Sequence, residues 1–187
     1  MKYFIDGGAN NGCSVRVFRE LYDKDEEYYI YSFEADPRFA KYFNDLNKHT
    51  FINKAIWIED TTLPFYVETS PSPGSTLMIE KKTCNLDKEN PVMVPAIDFS
   101  VWFLKTFNED DEIILKLDIE GAEYDVLEKM LEDGSFSYVD RLLIEWHGIK
   151  CCIPKERHNA LIAKLDVPME KWAGIEAAKK MFPKEYR

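Results

Sequence analysis

The sequence predicts an α/β fold in which helices cover both faces of a doubly wound, mostly parallel sheet. Short apolar runs, typical of strands buried on both faces, alternate along the chain with stretches of helical periodicity. Four of these runs lead into an acidic residue, at Asp6, Glu34, Asp118 and Glu145. Because ligands bind beyond the carboxyl ends of the strands in such sheets, we expect these four side chains to surround one site.

The apolar runs also place the individual strands. Strands are expected at Tyr3–Ile5, Tyr28–Phe33, Phe51–Ile58, Val92–Ile97, Ile113–Asp118 and Tyr138–Trp146. The third strand is expected to form a hairpin with Phe65–Val67. Residues 69–91 have few apolar positions, and so long a connection is often a functional lid. Beyond Gly148 the pattern is helical.

The composition is that of an ordinary globular unit. The 187 residues have 45% hydrophobic and 31% charged side chains, so we expect a single domain spanning residues 1–187. The net charge of −10 argues against a nucleic-acid partner, and the apolar runs are too short for membrane insertion. With no signal peptide recognised and no Cys-x-x-Cys pair, we expect a cytoplasmic protein with reduced thiols.

The turn after the first strand has the features of a nucleotide-binding crossover. It spans Asp6–Gly12, contains three glycines and leads into a helix with one apolar face. Its spacing, D-x-G-x-N-x-G, differs from the G-x-G-x-x-G of dinucleotide-binding enzymes. Because a carboxylate at Asp6 would repel a pyrophosphate, the turn favours a cationic, phosphate-free ligand such as S-adenosylmethionine.

Glu34 is a second candidate contact for such a ligand. It ends the strand that follows the glycine turn, where an acidic side chain typically accepts hydrogen bonds from both ribose hydroxyls of an adenosine. The alternative is a carboxylate that caps the helix beginning near Pro37. The preceding glycine turn favours ribose binding over capping.

Six short motifs then occur in a fixed order between Tyr3 and His147. They read FIDGGANNG, SFEADP, NKAIW, GSTL, LKLDIEGAEYDVL and IEWH. Together they resemble the FkbM family of class I S-adenosylmethionine-dependent methyltransferases, in which the first, second and fifth read D-V-G-A-N-x-G, F-E-P-x-P and K-x-D-V-E-G-x-E. The chain departs from these patterns at Gly7, where an apolar residue is usual, and at Ala35, where proline is common.

The resemblance implies a Rossmann-like class I methyltransferase fold and methyl transfer from S-adenosyl-L-methionine to a hydroxyl of a sugar or glycosylated small molecule. The C-terminal part shows no clear hairpin of sixth and seventh strands, so the sheet is either shortened or completed by a partner chain in a homodimer. The residues implied to contact the donor lie in the matched motifs and are Asp6, Gly7, Gly8, Ala9, Asn10, Asn11, Gly12, Glu34, Ala35, Asn53, Lys54, Ala55, Ser75 and Asp118.

The candidates for the acceptor chemistry are Asp118, Glu145, His147 and Lys116. An aliphatic hydroxyl is a weak acid, so its methylation needs a base, a metal ion or both. One hypothesis is that Asp118, Glu145 and His147 bind Mg²⁺ or Mn²⁺; the other is that no metal binds and His147 is the general base. Lys116 lies in an otherwise apolar strand and needs a partner, such as Glu145 or the acceptor itself.

Three further residues have both a structural and a functional interpretation. Glu120 and Glu123 open a helix, where acidic side chains are stabilising, and the family match implies that one of them also shapes the acceptor site. Trp146 is placed to stack on a sugar ring, whereas the other tryptophans are candidates for the core.

Two other functions fit the same fold class. The first is a nicotinamide-dependent oxidoreductase, against which the glycine spacing and Asp6 argue. The second is a non-catalytic adenosyl-binding scaffold. The presence of Asp118, Glu145 and His147 at neighbouring strand ends argues against a scaffold, which would need none of them.

Overall fold

A computed structural model describes residues 1–44, 46–69, 74–172 and 174–182. Its strands are β1 (Lys2–Gly7), β2 (Tyr29–Phe33), β3 (His49–Ile52), β4 (Ala55–Trp57), β5 (Thr61–Phe65), β6 (Val92–Asp98), β7 (Glu112–Leu117), β8 (Arg141–Ile144) and β9 (Met169–Lys171). Its α-helices are α1 (Cys13–Tyr22), α2 (Phe99–Thr106), α3 (Glu123–Glu132), α4 (Lys155–Ile162) and α5 (Gly174–Met181). None of these helices is long and apolar enough to cross a membrane.

The larger of two sheets has six parallel strands in the order β3-β2-β1-β7-β8-β9. The order reverses at β1, so the chain crosses over one face before this point and over the other face after it. Accordingly, α1 and α5 pack on one face, and α2 and α3 pack on the other. This arrangement confirms the predicted α/β class and is that of a Rossmann-like fold.

The side chains of β7 show why the central strands read as continuous apolar runs. Ile113, Leu115 and Leu117 pack on the face covered by α2 and α3, whereas Ile114 packs on the face covered by α1. Alternate residues of a strand point to opposite faces, and here both faces are buried. Burying each of these side chains contributes about 1.5–3 kcal/mol to folding.

The single strand expected at 51–58 is wrong, because this segment forms two strands in different sheets. β3 ends the large sheet at Ile52, the chain turns at Asn53 and Lys54, and β4 belongs to a smaller sheet of order β4-β6-β5. The expected hairpin is also wrong, since β5 pairs antiparallel with β6, which lies between β4 and β5. Apolar residues resume directly after the polar pair Asn53-Lys54, because residues on both sides of the break pack into a core.

The C-terminal region contains a strand that the helical pattern does not predict. β9 runs parallel to β8 at the edge of the large sheet, and its three residues are exposed. No apolar run therefore marks it. In the described part of the chain it is the only strand beyond β8, so the C-terminal hairpin is reduced there to one parallel strand. The strand expected at 138–146 is confined to Arg141–Ile144, and a 3-10 helix at Ser135–Tyr138 precedes it.

Candidate active site

A cleft of about 1340 Å³ opens at the carboxyl ends of the parallel strands. It is lined by the turn after β1, the end of β2, the start of β4, the segment 74–77 and the loops after β7 and β8. The residues expected at the donor that line it are Gly8, Ala9, Asn10, Asn11, Glu34, Ala35, Lys54, Ala55, Ser75 and Asp118. The others, Asp6, Gly7, Gly12 and Asn53, are not among the lining residues.

The backbone of the turn after β1 requires glycine at position 8. Gly8 has a φ of +75°, and a Cβ atom there would lie 1.9 Å from the carbonyl oxygen of Asp118. The amides of Gly8 and Ala9 donate to the carbonyl oxygen of Phe33 at 3.0 and 2.9 Å. The turn is thereby held against the ends of β2 and β7, which brings Asp118 to the wall of the cleft.

Behind this turn, Asp6 and Lys116 form a buried ion pair. They are partners in the register of β1 and β7, and Lys116 Nζ lies 3.0 Å from Asp6 Oδ1. Burial disfavours the charge of the lysine, but the carboxylates of Asp6 and Asp118 outweigh it and raise the pKa of Lys116. The partner of Lys116 is therefore Asp6 rather than Glu145, so the predicted pairing with Glu145 is wrong.

The same ion pair also fixes the backbone of the turn. Lys116 Nζ donates to the carbonyl oxygens of Gly7 and Gly8 at 3.0 and 2.8 Å, and the hydroxyl of Ser14 donates to Asp6 Oδ2. A buried charge needs such partners on every side. Asp6 does not line the cleft and therefore acts on anything bound there through the shape of the turn, whereas Lys116 is among the lining residues.

Glu34 lines the cleft and joins two of its loops. Its Oε2 accepts from the amide of Asn10 and its Oε1 from the amide of Asp36, both at 2.8 Å. Burial raises the pKa of Glu34 to about 7, although these two amides oppose the shift. Each oxygen of an ionised carboxylate can accept a second hydrogen bond, which leaves Glu34 able to receive ligand hydroxyls. Asn53 supports this loop by donating from Nδ2 to the Glu34 carbonyl oxygen at 2.7 Å.

The imidazole of His147 is buried among carboxylates from the loops after β7 and β8. Its Nδ1 lies 2.8 Å from Glu123 Oε1. Its Nε2 lies 3.4 Å from Glu120 Oε2, 3.5 Å from Glu145 Oε1 and 3.7 Å from Asp118 Oδ1. Among the described residues, no group forms a hydrogen bond with this nitrogen. A buried polar atom without a partner, facing three carboxylates, is the feature that most needs an explanation.

The chemistry of these residues fits a divalent cation. Asp118, Glu120 and His147 each offer one ligand atom, and the three atoms lie within 4.8 Å of one another. Mostly oxygen ligands with one imidazole suit Mn²⁺ or Mg²⁺. The sequence pointed to Asp118, Glu145 and His147, whereas the cluster contains Asp118 and His147 with Glu120 in place of Glu145. Its position depends on a left-handed backbone, with a φ of +56°, for which the sequence gives no signal.

The acidic surroundings also determine the charge of His147. Burial lowers its pKa, but the carboxylates of Glu123 and Glu145 outweigh burial and raise the pKa to about 10. Without a cation the ring is protonated at neutral pH, which argues against a general base that titrates near neutrality. Burial also raises the pKa of Asp118 to about 6, against the opposing charge of Lys116.

The long connection contributes a buried lysine that no pattern in the sequence reveals. Lys81 is 1% exposed, and its Nζ donates to Glu120 Oε2 and to the carbonyl oxygen of Gly74, both at 2.6 Å. The hydroxyl of Thr76 donates to the carbonyl oxygen of Glu120 at 2.7 Å. The segment that carries Ser75 is therefore attached to the carboxylate cluster. Residues 70–73 of the connection lie outside the described residues.

Trp146 has a different environment from the one predicted. Its ring packs against Tyr124 and His158, with both pairs of ring centroids 5.1 Å apart. It is not among the residues that line the cleft. The structure therefore gives no support to stacking of Trp146 on a sugar ring.

Comparison with known proteins identifies one family. The model of the methyltransferase FkbM domain matches residues 6–166. No curated protein and no solved structure matches the chain significantly. The matched range contains Glu34 and every candidate cation ligand, so the family match and the site concern the same part of the chain.

Proposed function

The chain belongs to the FkbM methyltransferase family, and on that premise we propose that it methylates a hydroxyl of a sugar or glycosylated small molecule, with S-adenosyl-L-methionine as donor. One observation supports this proposal most strongly. Glu34 and the turn after β1 line the same cleft as Asp118 and Glu120, whose carboxylates lie beside Nε2 of His147, an atom with no hydrogen-bond partner in the described part of the chain. A donor site and a site for hydroxyl activation would then share one cavity.

At the donor end, the residues of the cleft suit an adenosyl ligand with an amino-acid tail. Glu34 would accept hydrogen bonds from the ribose hydroxyls, and Lys54 and Ala55 would border the adenine. Asn10 and Asp118 are suited to the polar amino-acid end, and Ser75 borders the same cleft. S-adenosylmethionine supplies a methyl group on a sulfonium, which needs no further activation. The protein has to hold the acceptor oxygen in line with that methyl group and exclude water.

At the acceptor end, Asp118, Glu120 and His147 would bind Mg²⁺ or Mn²⁺. A divalent cation lowers the pKa of a hydroxyl bound to it, which makes the oxygen a better nucleophile. Glu145 lines the cleft and is 38% exposed, so an acceptor can reach it. Its carboxylate would then accept the proton of the hydroxyl.

Label transfer tests the proposal directly. The full chain is incubated with methyl-labelled S-adenosylmethionine and a panel of glycosides, with Mn²⁺, with Mg²⁺ or with EDTA. We expect an acceptor to carry base-stable label, as an O-methyl ether, when Mn²⁺ or Mg²⁺ is present. In EDTA we expect no transfer of label. Donor binding without transfer to any acceptor would support the scaffold. Binding of NAD but not of S-adenosylmethionine would support the oxidoreductase.

A further inference from the structure

We propose that Glu123 is a positioning residue that places two ligands of the cation site at once. Its carboxylate would hold the imidazole of His147, which follows β8, and the turn that carries Glu120, which follows β7. The inference rests on the cation proposed above. It assigns to Glu123 the task of building the site rather than of touching the acceptor.

Three donors converge on the Glu123 carboxylate. Oε1 lies 2.8 Å from His147 Nδ1 and accepts from the amide of Ile119 at 3.0 Å, and Oε2 accepts from the amide of Gly121 at 2.9 Å. Glu123 is fully buried and does not line the cleft. A carboxylate committed in this way supports its neighbours, because it is fully buried and both of its oxygens already accept hydrogen bonds.

The contact with His147 decides which ring nitrogen faces the cation. When Nδ1 donates its proton to Glu123, the lone pair of the neutral ring is on Nε2, which faces Asp118 and Glu120. A histidine that binds a metal commonly donates its other N–H to a carboxylate or a carbonyl oxygen, and the contact fixes the orientation of the ring.

The contacts with the turn decide where Glu120 lies. Glu120 and Gly121 both have positive φ angles, +56° and +115°. For a residue other than glycine such a conformation is costly, and it persists only where the surroundings hold it. The two amides bound by Glu123 belong to Ile119 and Gly121, the neighbours of Glu120 on either side. The buried carboxylate of Glu123 therefore fixes the imidazole of His147 and also stabilises the strained turn that carries Glu120.

Binding of Mn²⁺ alone tests this role without any acceptor. The full chain is titrated with MnCl₂, and free Mn²⁺ is followed by electron paramagnetic resonance, for the unmodified chain, Glu123→Gln and the control Glu128→Gln. Gln has the shape of Glu, but its amide nitrogen cannot accept a hydrogen bond. Glu128 lies on the same helix and pairs with Arg157, away from the cleft. Affinity for S-adenosylmethionine is measured in parallel.

We expect Glu123→Gln to weaken Mn²⁺ binding about 10–100-fold, with donor affinity unchanged, and Glu128→Gln to change neither. Wild-type Mn²⁺ affinity in Glu123→Gln would overturn the inference, as would an equal loss of donor affinity, which indicates general damage to the fold. Should that variant not fold, Glu123→Asp, which withdraws the carboxylate by one methylene, is judged by the same criteria. Absence of Mn²⁺ binding in the unmodified chain would instead contradict the proposed cation, and the role of Glu123 with it.

Discussion

Glu34 and His147 are buried groups whose pKa values the fold shifts strongly. Burial raises the pKa of Glu34 to about 7, and surrounding carboxylates raise that of His147 to about 10. Shifts of this kind concentrate at functional sites, because a site selected only for stability avoids the desolvation of charges. Both groups lie at the carboxyl edge of the sheet, and each supports a separate prediction about donor binding or catalysis.

Donor affinity should depend on the ionisation of Glu34. Only the carboxylate can accept hydrogen bonds from two ribose hydroxyls, so we expect the Kd for S-adenosylmethionine to rise about tenfold from pH 8 to pH 6. Isothermal titration calorimetry measures this. Glu34→Gln should bind S-adenosylmethionine weakly at pH 8, and its Kd should not change between pH 8 and pH 6. An unmodified chain and a Gln variant with the same pH profile would exclude Glu34 as the ribose contact.

Replacement of His147 should separate donor binding from catalysis. We expect His147→Ala to retain donor affinity within about twofold, because the ring is not among the residues lining the cleft. Turnover on the acceptor found by label transfer should fall about 100-fold or more. Glu34→Ala should show the reverse pattern, with weakened donor binding. If His147→Ala lost donor binding and Glu34→Ala did not, the two assignments would have to be exchanged.

Single residues of the site were predictable where a strand positions them. Glu34, Asp118 and Glu145 each follow an apolar run, and parallel strands bring such positions to one edge, where all three line the cleft. Asp6 also ends an apolar run, but it is buried behind the turn and does not line the cleft. Glu120 was not predictable as a ligand, because its place in the cluster depends on a left-handed backbone conformation.

The 74–82 part of the long connection is packed onto the site instead of lying free above it. The side chain of Lys81 reaches Glu120, and the amide of Lys82 donates to the carbonyl oxygen of Lys150 at 2.9 Å. Polar loops give no periodic signal, so the sequence indicated only a functional lid. The buried ion pair of Lys81 and the hydrogen bond from the Thr76 hydroxyl to the Glu120 carbonyl oxygen attach this element to the carboxylate cluster.

Loss of the Lys81 ammonium should therefore loosen this element. In Lys81→Met the carboxylate of Glu120 loses its buried partner. We expect a loss of about 2 kcal/mol in the free energy of unfolding, less than for a fully buried pair because Glu120 keeps some solvent contact. Amide hydrogen exchange across 74–82 should become faster. Lys82→Met, at the exposed neighbouring position, is the control and should change neither quantity. Equal rates of amide hydrogen exchange across 74–82 in Lys81→Met and Lys82→Met would show that Lys81 does not anchor the segment.

Elements were predictable to the extent that hydrophobic runs mark them. β1, β2 and β7 are apolar because both faces of the sheet are covered, and their positions match the expectation closely. The boundary between β3 and β4 is marked only by the polar pair Asn53-Lys54, which is too short to separate two strands by pattern, since residues on both sides of it pack into a core. β9 is an exposed edge strand, which hydrophobic periodicity does not detect.

At the scale of the whole molecule, topology creates the cleft. The reversal of strand order at β1 separates the connections that leave β1 and β7, and the site lies at the carboxyl end of this reversal. The same topology brings the loops after β7 and β8, distant in sequence, to within hydrogen-bonding range. That residues 1–187 form one domain and that the protein is cytoplasmic stay predictions, and completion of the sheet by a partner chain stays one of the two alternatives for its edge.

A crystal structure of the full chain with S-adenosylhomocysteine and Mn²⁺ tests the central claim, that donor and cation share this cleft. We predict density for the nucleoside beside Glu34. We also predict an anomalous difference peak for Mn²⁺ within bonding distance of His147 Nε2 and of carboxylate oxygens of Asp118 and Glu120. Nucleoside density elsewhere, or a nucleoside beside Glu34 without a peak within bonding distance of His147 Nε2 at saturating Mn²⁺, would contradict it.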